Sequence, residues 1–207
     1  DNKHLTQVHL ASSLDNRFSL VQDGTVHLEC GPNTIRRDVE DVAFSYPFFY
    51  TGTQFLMVRS KAVSVDPTLA LENLQVGVLA DTTNAALVER NYPQLSTRYF
   101  EGLTGRVDAV QALREGNVDA FVSDGALLLG ELLRLNQNPA DYALVPDTPL
   151  TCDAYGLVLP EGDRPWQDFV NVFLRTEASR GVRAAWLSTY LPGALNSLNH
   201  CLSIADP

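Results

Sequence analysis

Between residues 75 and 136 the chain switches repeatedly between a strand-like and a helix-like hydrophobic pattern, and this constrains its fold more than any other feature. Gln75–Leu79 (QVGVL) is a short, largely apolar run of strand length. The loop Ala80–Thr83 (ADTT) follows, where Asp81 or Thr82 can cap a helix beginning near Asn84. The same order recurs: strand Arg98–Glu101, helix Val107–Glu115 ended by Gly116-Asn117, strand Ala120–Ser123, helix Ala126–Asn136. Strands alternating with helices imply an α/β protein whose sheets are mostly parallel and flanked by helices.

On either side of this region the pattern is less regular. Leu5–Leu10 (LTQVHL) alternates apolar and polar residues like a strand, Arg17–Gln22 reads as a short helix stopped at Asp23-Gly24, and Thr25–Cys30 reads as a second strand. Gly31-Pro32-Asn33 breaks that strand and exposes backbone groups. Thr53–Arg59 (TQFLMVR) is rich in β-formers and reads as a connecting strand, with a short helix expected at Leu69–Leu74. Tyr142–Val145 and Tyr155–Leu159 read as further strands, with a second crossing between them. Helices Trp166–Arg175 and Ser179–Tyr190 then lead to an irregular tail containing Cys201.

Composition narrows the partners. The 207 residues, 45% of them apolar, suffice for a compact core. With 25 acidic against 15 basic residues, the formal charge of -10 opposes phosphate backbones and anionic membranes, so nucleic acid is not an expected partner. No apolar run reaches the ~20 residues that span a bilayer, and no leader stands at Asp1, so the chain reads as soluble with any leader removed. Cys30, Cys152 and Cys201 lack the close spacing of metal or redox motifs; one disulfide with one free thiol, or three buried thiols, both fit. There is no GxSxG, HExxH or phosphate-loop motif and no paired histidines, so neither a cofactor nor a metal is expected.

Several ordered blocks resemble the bacterial extracellular solute-binding proteins of family 3. Residues 16–28 (NRFSLVQDGTVHL) are similar to that family's "NRIPALQSGKVDL", and residues 42–49 (VAFSYPFF) to "VDFSxPYY". Residues 76–84 (VGVLADTTN) resemble "VGVQxGTTA", residues 113–124 (LREGNVDAFVSD) resemble "LxxGRVDAVVxD", and residues 155–162 (YGLVLPEG) resemble "YGIAVRKGD". The blocks span nearly the whole chain. The resemblance implies a two-lobed, type II periplasmic-binding-protein-like α/β fold, with residues 1–57 and 151–207 in lobe 1, 58–150 in lobe 2, and two crossing strands as the hinge. It implies capture of a polar amino acid, delivery to the membrane permease of an ABC importer, and a periplasmic location. Sensing domains of receptors share the fold, as do enzymes that dehydrate prephenate or arogenate; for catalysis Asp124 is the one cleft acid to nominate. A first strand and helix usual in the family precede the point where this sequence starts, so lobe 1 is expected to lack one wall and to expose an edge open to self-association.

The resemblance also places binding residues. A zwitterion needs a cationic site for its carboxylate and an anionic site for its ammonium, inside a cleft that screens charge weakly. Relatives hold the carboxylate with a Thr and an Arg in the segment that here holds Pro32, Thr34, Arg36 and Arg37. The segment is one residue short: Thr34 aligns from the left, the usual Arg column falls on Asp38 from the right, and Arg36 or Arg37 is the substitute. Pro32 would offer its backbone carbonyl. Asp124 holds the family's ammonium-gripping position, at a strand end before a helix; Asp is equally suited to cap that helix. Thr82 and Thr83 stand at a helix N-terminus that attracts carboxylates, or simply cap it. Leu14 replaces the family's side-chain-stacking aromatic. A Cys152–Cys201 disulfide tying the tail to the hinge is implied by receptor-type relatives and suits an oxidising periplasm, leaving Cys30 free on a buried strand.

Overall fold

The computed structural model describes residues 7–62, 74–190 and 195–205. In chain order the elements begin with α1 (Ser19–Gln22), β1 (Val42–Phe44), β2 (Phe49–Thr51), β3 (Thr53–Val58) and α2 (Arg59–Ala62). The alternating region supplies β4 (Gln75–Leu79), α3 (Thr83–Asn91), β5 (Ser96–Phe100), α4 (Gly105–Glu115), β6 (Ala120–Asp124) and α5 (Gly125–Arg134). After β7 (Tyr142–Val145), β8 (Asp153–Tyr155) and β9 (Val158–Pro160) come α6 (Arg164–Leu174), α7 (Glu177–Tyr190) and α8 (Leu195–Ala205).

One five-stranded sheet, in the order β5-β4-β6-β3-β7, dominates the molecule. Strand β4 runs parallel to β5 and β6, whereas β3 is antiparallel to both β6 and β7. Both faces are covered, which explains why the strands read as near-continuous apolar runs. On one face Leu56, Leu79 and Phe121 pack with Ala109, Leu113, Leu128 and Leu132 of α4 and α5. On the other, Phe55, Met57, Val76, Val78 and Val122 pack with Ala85 and Val88 of α3. Each helix has an identifiable boundary: the Thr82 hydroxyl accepts the Ala85 N–H at the start of α3, and Gly116, in the left-handed conformation at φ 75°, ends α4.

The second body is thinner. It consists of two two-stranded antiparallel ribbons, β1-β9 and β2-β8, with a small core of Leu159, Val170 and Leu174 under α6. Isolated bridges Glu29↔Val158 and Thr34↔Tyr155 attach the preceding loops to the ribbons. The chain passes between the bodies at Gly52 and again through the stretch before β8. Gly52 is required there, because a Cβ on it would stand 1.7 Å from the Thr151 carbonyl oxygen.

Several expectations need correction. Residues 7–10 of the expected first strand are exposed and unpaired, and Leu5 and Thr6 lie outside the described residues. Thr25–Cys30 forms no strand beyond the Glu29 bridge, and Cys30 is exposed, not buried. Thr53–Val58 is an inner strand of the large sheet and not a free connector, so residues 53–57 pair with that sheet. The expected strand Tyr155–Leu159 is broken at Gly156-Leu157 into β8 and β9. The tail around Cys201 is helical, and most of the expected helix Leu69–Leu74 lies outside the described residues. Cys152 and Cys201 are disulfide-bonded, with Cα atoms 5.3 Å apart. Among the described residues, no helix is long and apolar enough to cross a membrane, and no three His, Cys, Asp or Glu side chains cluster as metal ligands would.

Candidate binding cleft

The C-terminal ends of the parallel strands β4 and β6 open onto a polar cleft facing the loops before β1, which is where open α/β sheets place ligand residues. One bank comprises Thr82, Thr83, Asn84, Arg106, Asp124 and Leu127; the other comprises Leu14, Arg17, Phe18, Pro32, Thr34 and Arg36. The cleft is narrow, about 20 Å³, which is room for a single water.

Asp124 ends β6 and precedes α5 in an extended conformation, yet its carboxylate makes no capping bond to that helix. It is 4% exposed, accepts from Asn84 Nδ2 at 3.0 Å, and accepts from the Tyr155 hydroxyl. Burial, with the adjacent Asp124 charge, pushes the Tyr155 hydroxyl well above its ordinary pKa, so it stays protonated and donates. Asp124 thus stands at the N-terminus of α5 without bonding to it and lines the cleft.

Three guanidiniums, Arg17, Arg36 and Arg106, line the cleft with this carboxylate. Arg106 stands in the first turn of α4, where the helix dipole disfavours a cation. Burial pulls its pKa below the ordinary value, while Tyr155, Asp124 and Glu131 oppose the shift. Arg17 is lowered by burial and, more weakly, by the nearby charges of Arg36 and Arg106, with Glu29 opposing. Its Nε is buried without a hydrogen-bond partner among the described residues. Arg17 and Arg36 both lie over the Phe18 ring, 4.8 and 5.5 Å from its centroid, and Arg36 pairs with Asp38 at 3.5 Å.

The bank before β1 has no sheet of its own and is held by polar bonds. Buried Glu29 accepts from the Gly31 N–H, the Ser12 hydroxyl and the Asn33 amide, which shapes the turn presenting Pro32 and Thr34. Backbone bonds Ile35 N–H to Ala154 O and Gly156 N–H to Asn33 O fasten that turn to β8.

Of the residues expected from sequence, Pro32, Thr34, Arg36, Thr82, Thr83 and Asp124 line the cleft together. Arg37 does not: it is exposed outside it, so the shortened segment turns Arg36 inward. The Thr82 hydroxyl is occupied as the α3 cap and as a donor to Leu79 O. Sequence reasoning missed Arg17, Asn84, Arg106 and Tyr155. Arg17 lies in the Asn16-Arg17 block already singled out, and a cation in the first turn of a helix was a signal for Arg106. Asn84 and Tyr155 carried no local signal. A larger cavity, about 490 Å³, lies beyond Arg106 between Phe49, Leu127 and Leu187; its lining is mostly apolar, and its one carboxylate, Glu131, is already paired with Arg134.

No family model matches the chain. It is 26% identical to the glutamate/aspartate import solute-binding protein of Escherichia coli K12, over 99% of this chain and 68% of that one. It is 27% identical to the L-glutamate/L-aspartate-binding protein of Pseudomonas aeruginosa, over 90% of this chain and 63% of that one. The chain thus spans close to two thirds of these relatives' lengths. Among solved structures it superposes on the ancestral amino acid-binding protein AncCDT-1, a precursor of cyclohexadienyl dehydratase, with TM-score 0.74, 21% identity and coverage of 87% and 76%. An amino acid ABC transporter substrate-binding protein from Streptococcus pneumoniae, bound to L-arginine, gives TM-score 0.74 at 18% identity, covering 87% and 74%.

Proposed function

From a chain with the type II periplasmic-binding-protein fold, whose homologues are glutamate/aspartate- and glutamine-binding solute-binding proteins, we infer an extracytoplasmic binding protein that captures an acidic amino acid by hinge closure. It hands the amino acid to the membrane permease of an ABC-type importer. The single observation that carries this reading is the uncapped, buried Asp124 carboxylate set among three guanidiniums.

Asp124 is the partner for the α-ammonium, through charge-assisted bonds in a poorly screened site. Arg36, Thr34 and the N-terminal N–H groups of α3 at Thr83 are the partners for the α-carboxylate. Arg106 and the unpartnered edge of Arg17 then remain for a second carboxylate. An acidic ligand offsets the mutual repulsion of these cations, whereas a cationic ligand adds to it. Among the described residues the lining holds no His or Cys, and its one carboxylate is already bonded to Asn84 and Tyr155, which favours capture over catalysis.

Room for one water does not admit an amino acid, so entry requires the banks to part. The moving bodies are the ribbon part, up to Gly52 and again from Thr151, and the large-sheet part between them, turning about the two crossings. Ligand drives closure only to the extent that the closed form binds it better. Thermal-shift measurement with each proteinogenic amino acid tests the reading. L-Glutamate or L-aspartate at a hundred times its Kd stabilises the fold by about 2.7 kcal/mol; a flat response to every amino acid contradicts it.

A further inference from the structure

A continuous chain of hydrogen bonds runs from Asp124 to both crossings, and its polarity is fixed throughout. Asn84 Nδ2 donates to Asp124 Oδ1 at 3.0 Å and to Thr53 Oγ1 at 2.8 Å. Thr53 Oγ1 lies 3.0 Å from Thr151 Oγ1, and Thr151 Oγ1 donates to Asp153 Oδ2 at 2.6 Å. The Thr151 hydroxyl has spent its proton on Asp153, so it accepts from Thr53, which also sends it the Thr53 backbone N–H at 3.0 Å. Thr53 opens β3 just after the first crossing, and Thr151 lies in the second. Gly52 lets the two backbones touch, and the Cys152–Cys201 disulfide pins α8 beside them, where Cys201 Sγ also faces the Thr51 and Thr151 carbonyls. Thr53 and Asn84 are 2% and 5% exposed, so water does not replace these bonds.

We propose that Asn84, Thr53 and Thr151 are positioning residues that hold the ammonium-gripping carboxylate in one orientation from the two joined crossings, so that the hinge region, and not the cleft lining alone, sets how Asp124 is presented. The crossings are joined by the Thr51–Asp153 pairing and the Leu150 N–H bond to Thr53 O, so Thr151 stands fixed beside Thr53; losing the Thr53–Thr151 bond frees the Thr53 hydroxyl to turn and loosens the acceptor that fixes Asn84. Asn84 then no longer holds Asp124 in one rotamer. The proposal rests on the amino-acid-binding reading and extends it from Asn84, in the cleft lining, to two residues outside that lining, Thr53 and Thr151.

The test compares L-glutamate with glutarate, which has two carboxylates but no ammonium, in calorimetric competition titrations of the unaltered chain, Thr53→Val, Thr151→Val and Thr53→Ser. Thr53→Val and Thr151→Val should each weaken L-glutamate about tenfold, the worth of one bond to a charged group, and change glutarate less than twofold. Thr53→Ser keeps the hydroxyl and should restore the unaltered ratio. Equal weakening of both ligands, or a fall in Tm with the ratio unchanged, makes the chain a structural prop and overturns the proposal. Thr151→Val, at a less buried position, decides the matter where Thr53→Val fails to fold. If the unaltered chain binds no L-glutamate, the functional reading falls and this proposal with it; if it binds and neither Val variant moves the ratio, only this proposal falls.

Discussion

The two banks of the cleft are built in opposite ways. Asp124, Asn84 and Thr83 sit at the ends of sheet strands and at a helix start, above a core in which Val78, Val122 and Leu128 are fully buried. Arg17, Pro32, Thr34 and Arg36 sit on loops whose shape depends on Glu29 and on two backbone bonds to neighbouring residues of the β8–β9 segment. The cleft's anion is therefore seated on the regular body, with Tyr155 of β8 reaching across to it, while two of the three cations are carried by the irregular one. A desolvated carboxylate must be held closely if it is to pair with an ammonium and not collapse onto an arginine. A guanidinium has a broad fork and tolerates looser placement.

The sharpest way to break this contrast is to remove the fixed anion. Asp124→Ala should lower affinity for L-glutamate at least a hundredfold by isothermal titration, because its partner becomes a buried unpaired ammonium; a smaller loss would return Asp124 to a structural role. The next effect concerns the tether between the bodies. Replacing Cys152 and Cys201 by Ser opens a link spanning 49 residues and should cost about 2–4 kcal/mol of stability in denaturant titration.

The looser bank is tested by a pair. Arg36→Ala should weaken L-glutamate about tenfold, while Arg37→Ala, on the exposed side, should stay within twofold. The smallest effect is expected at Asp153, whose carboxyl burial holds above its ordinary pKa of 3.8, with Thr151 opposing and Asp124 adding to the shift. A raised acid pKa means the folded state binds the proton more tightly, so stability is lost as pH rises through the folded value. Asp153→Asn should therefore raise Tm by a degree or two at neutral pH, on the order of tenths of a kcal/mol. That gain should shrink as pH falls toward 3.8.

The same contrast explains what could be read from the sequence. Strands β4 and β6 and helices α3, α4 and α5 were legible because two-sided burial writes continuous apolar runs, and Thr82 and Gly116 mark helix ends. Thr82 and Thr83 followed from the start of α3, and Asp124 from the family resemblance, which places it at a strand end before a helix. The ribbon body was not legible, because pairings such as Glu29 with Val158 join residues far apart through single bridges that leave no local period. Helix α8 was missed for a related reason: Asn and Ser favour it weakly, and its support comes from the disulfide and from the Ser197 bond to Gln54. Asn84 and Tyr155 converge on Asp124 only through the tertiary fold, and the inward turn of Arg36 over Arg37 depends on the Phe18 ring beneath it.

On the proposed reading, a cleft lined by three arginines and one carboxylate selects a ligand carrying a second negative charge. L-Glutamate and L-glutamine, which differ chiefly in that charge, test it most directly in parallel calorimetric titrations of the unaltered chain. L-Glutamate should bind at least tenfold tighter, by about 1.4 kcal/mol; equal affinities, or a preference for L-glutamine, would rule out selection by the second charge.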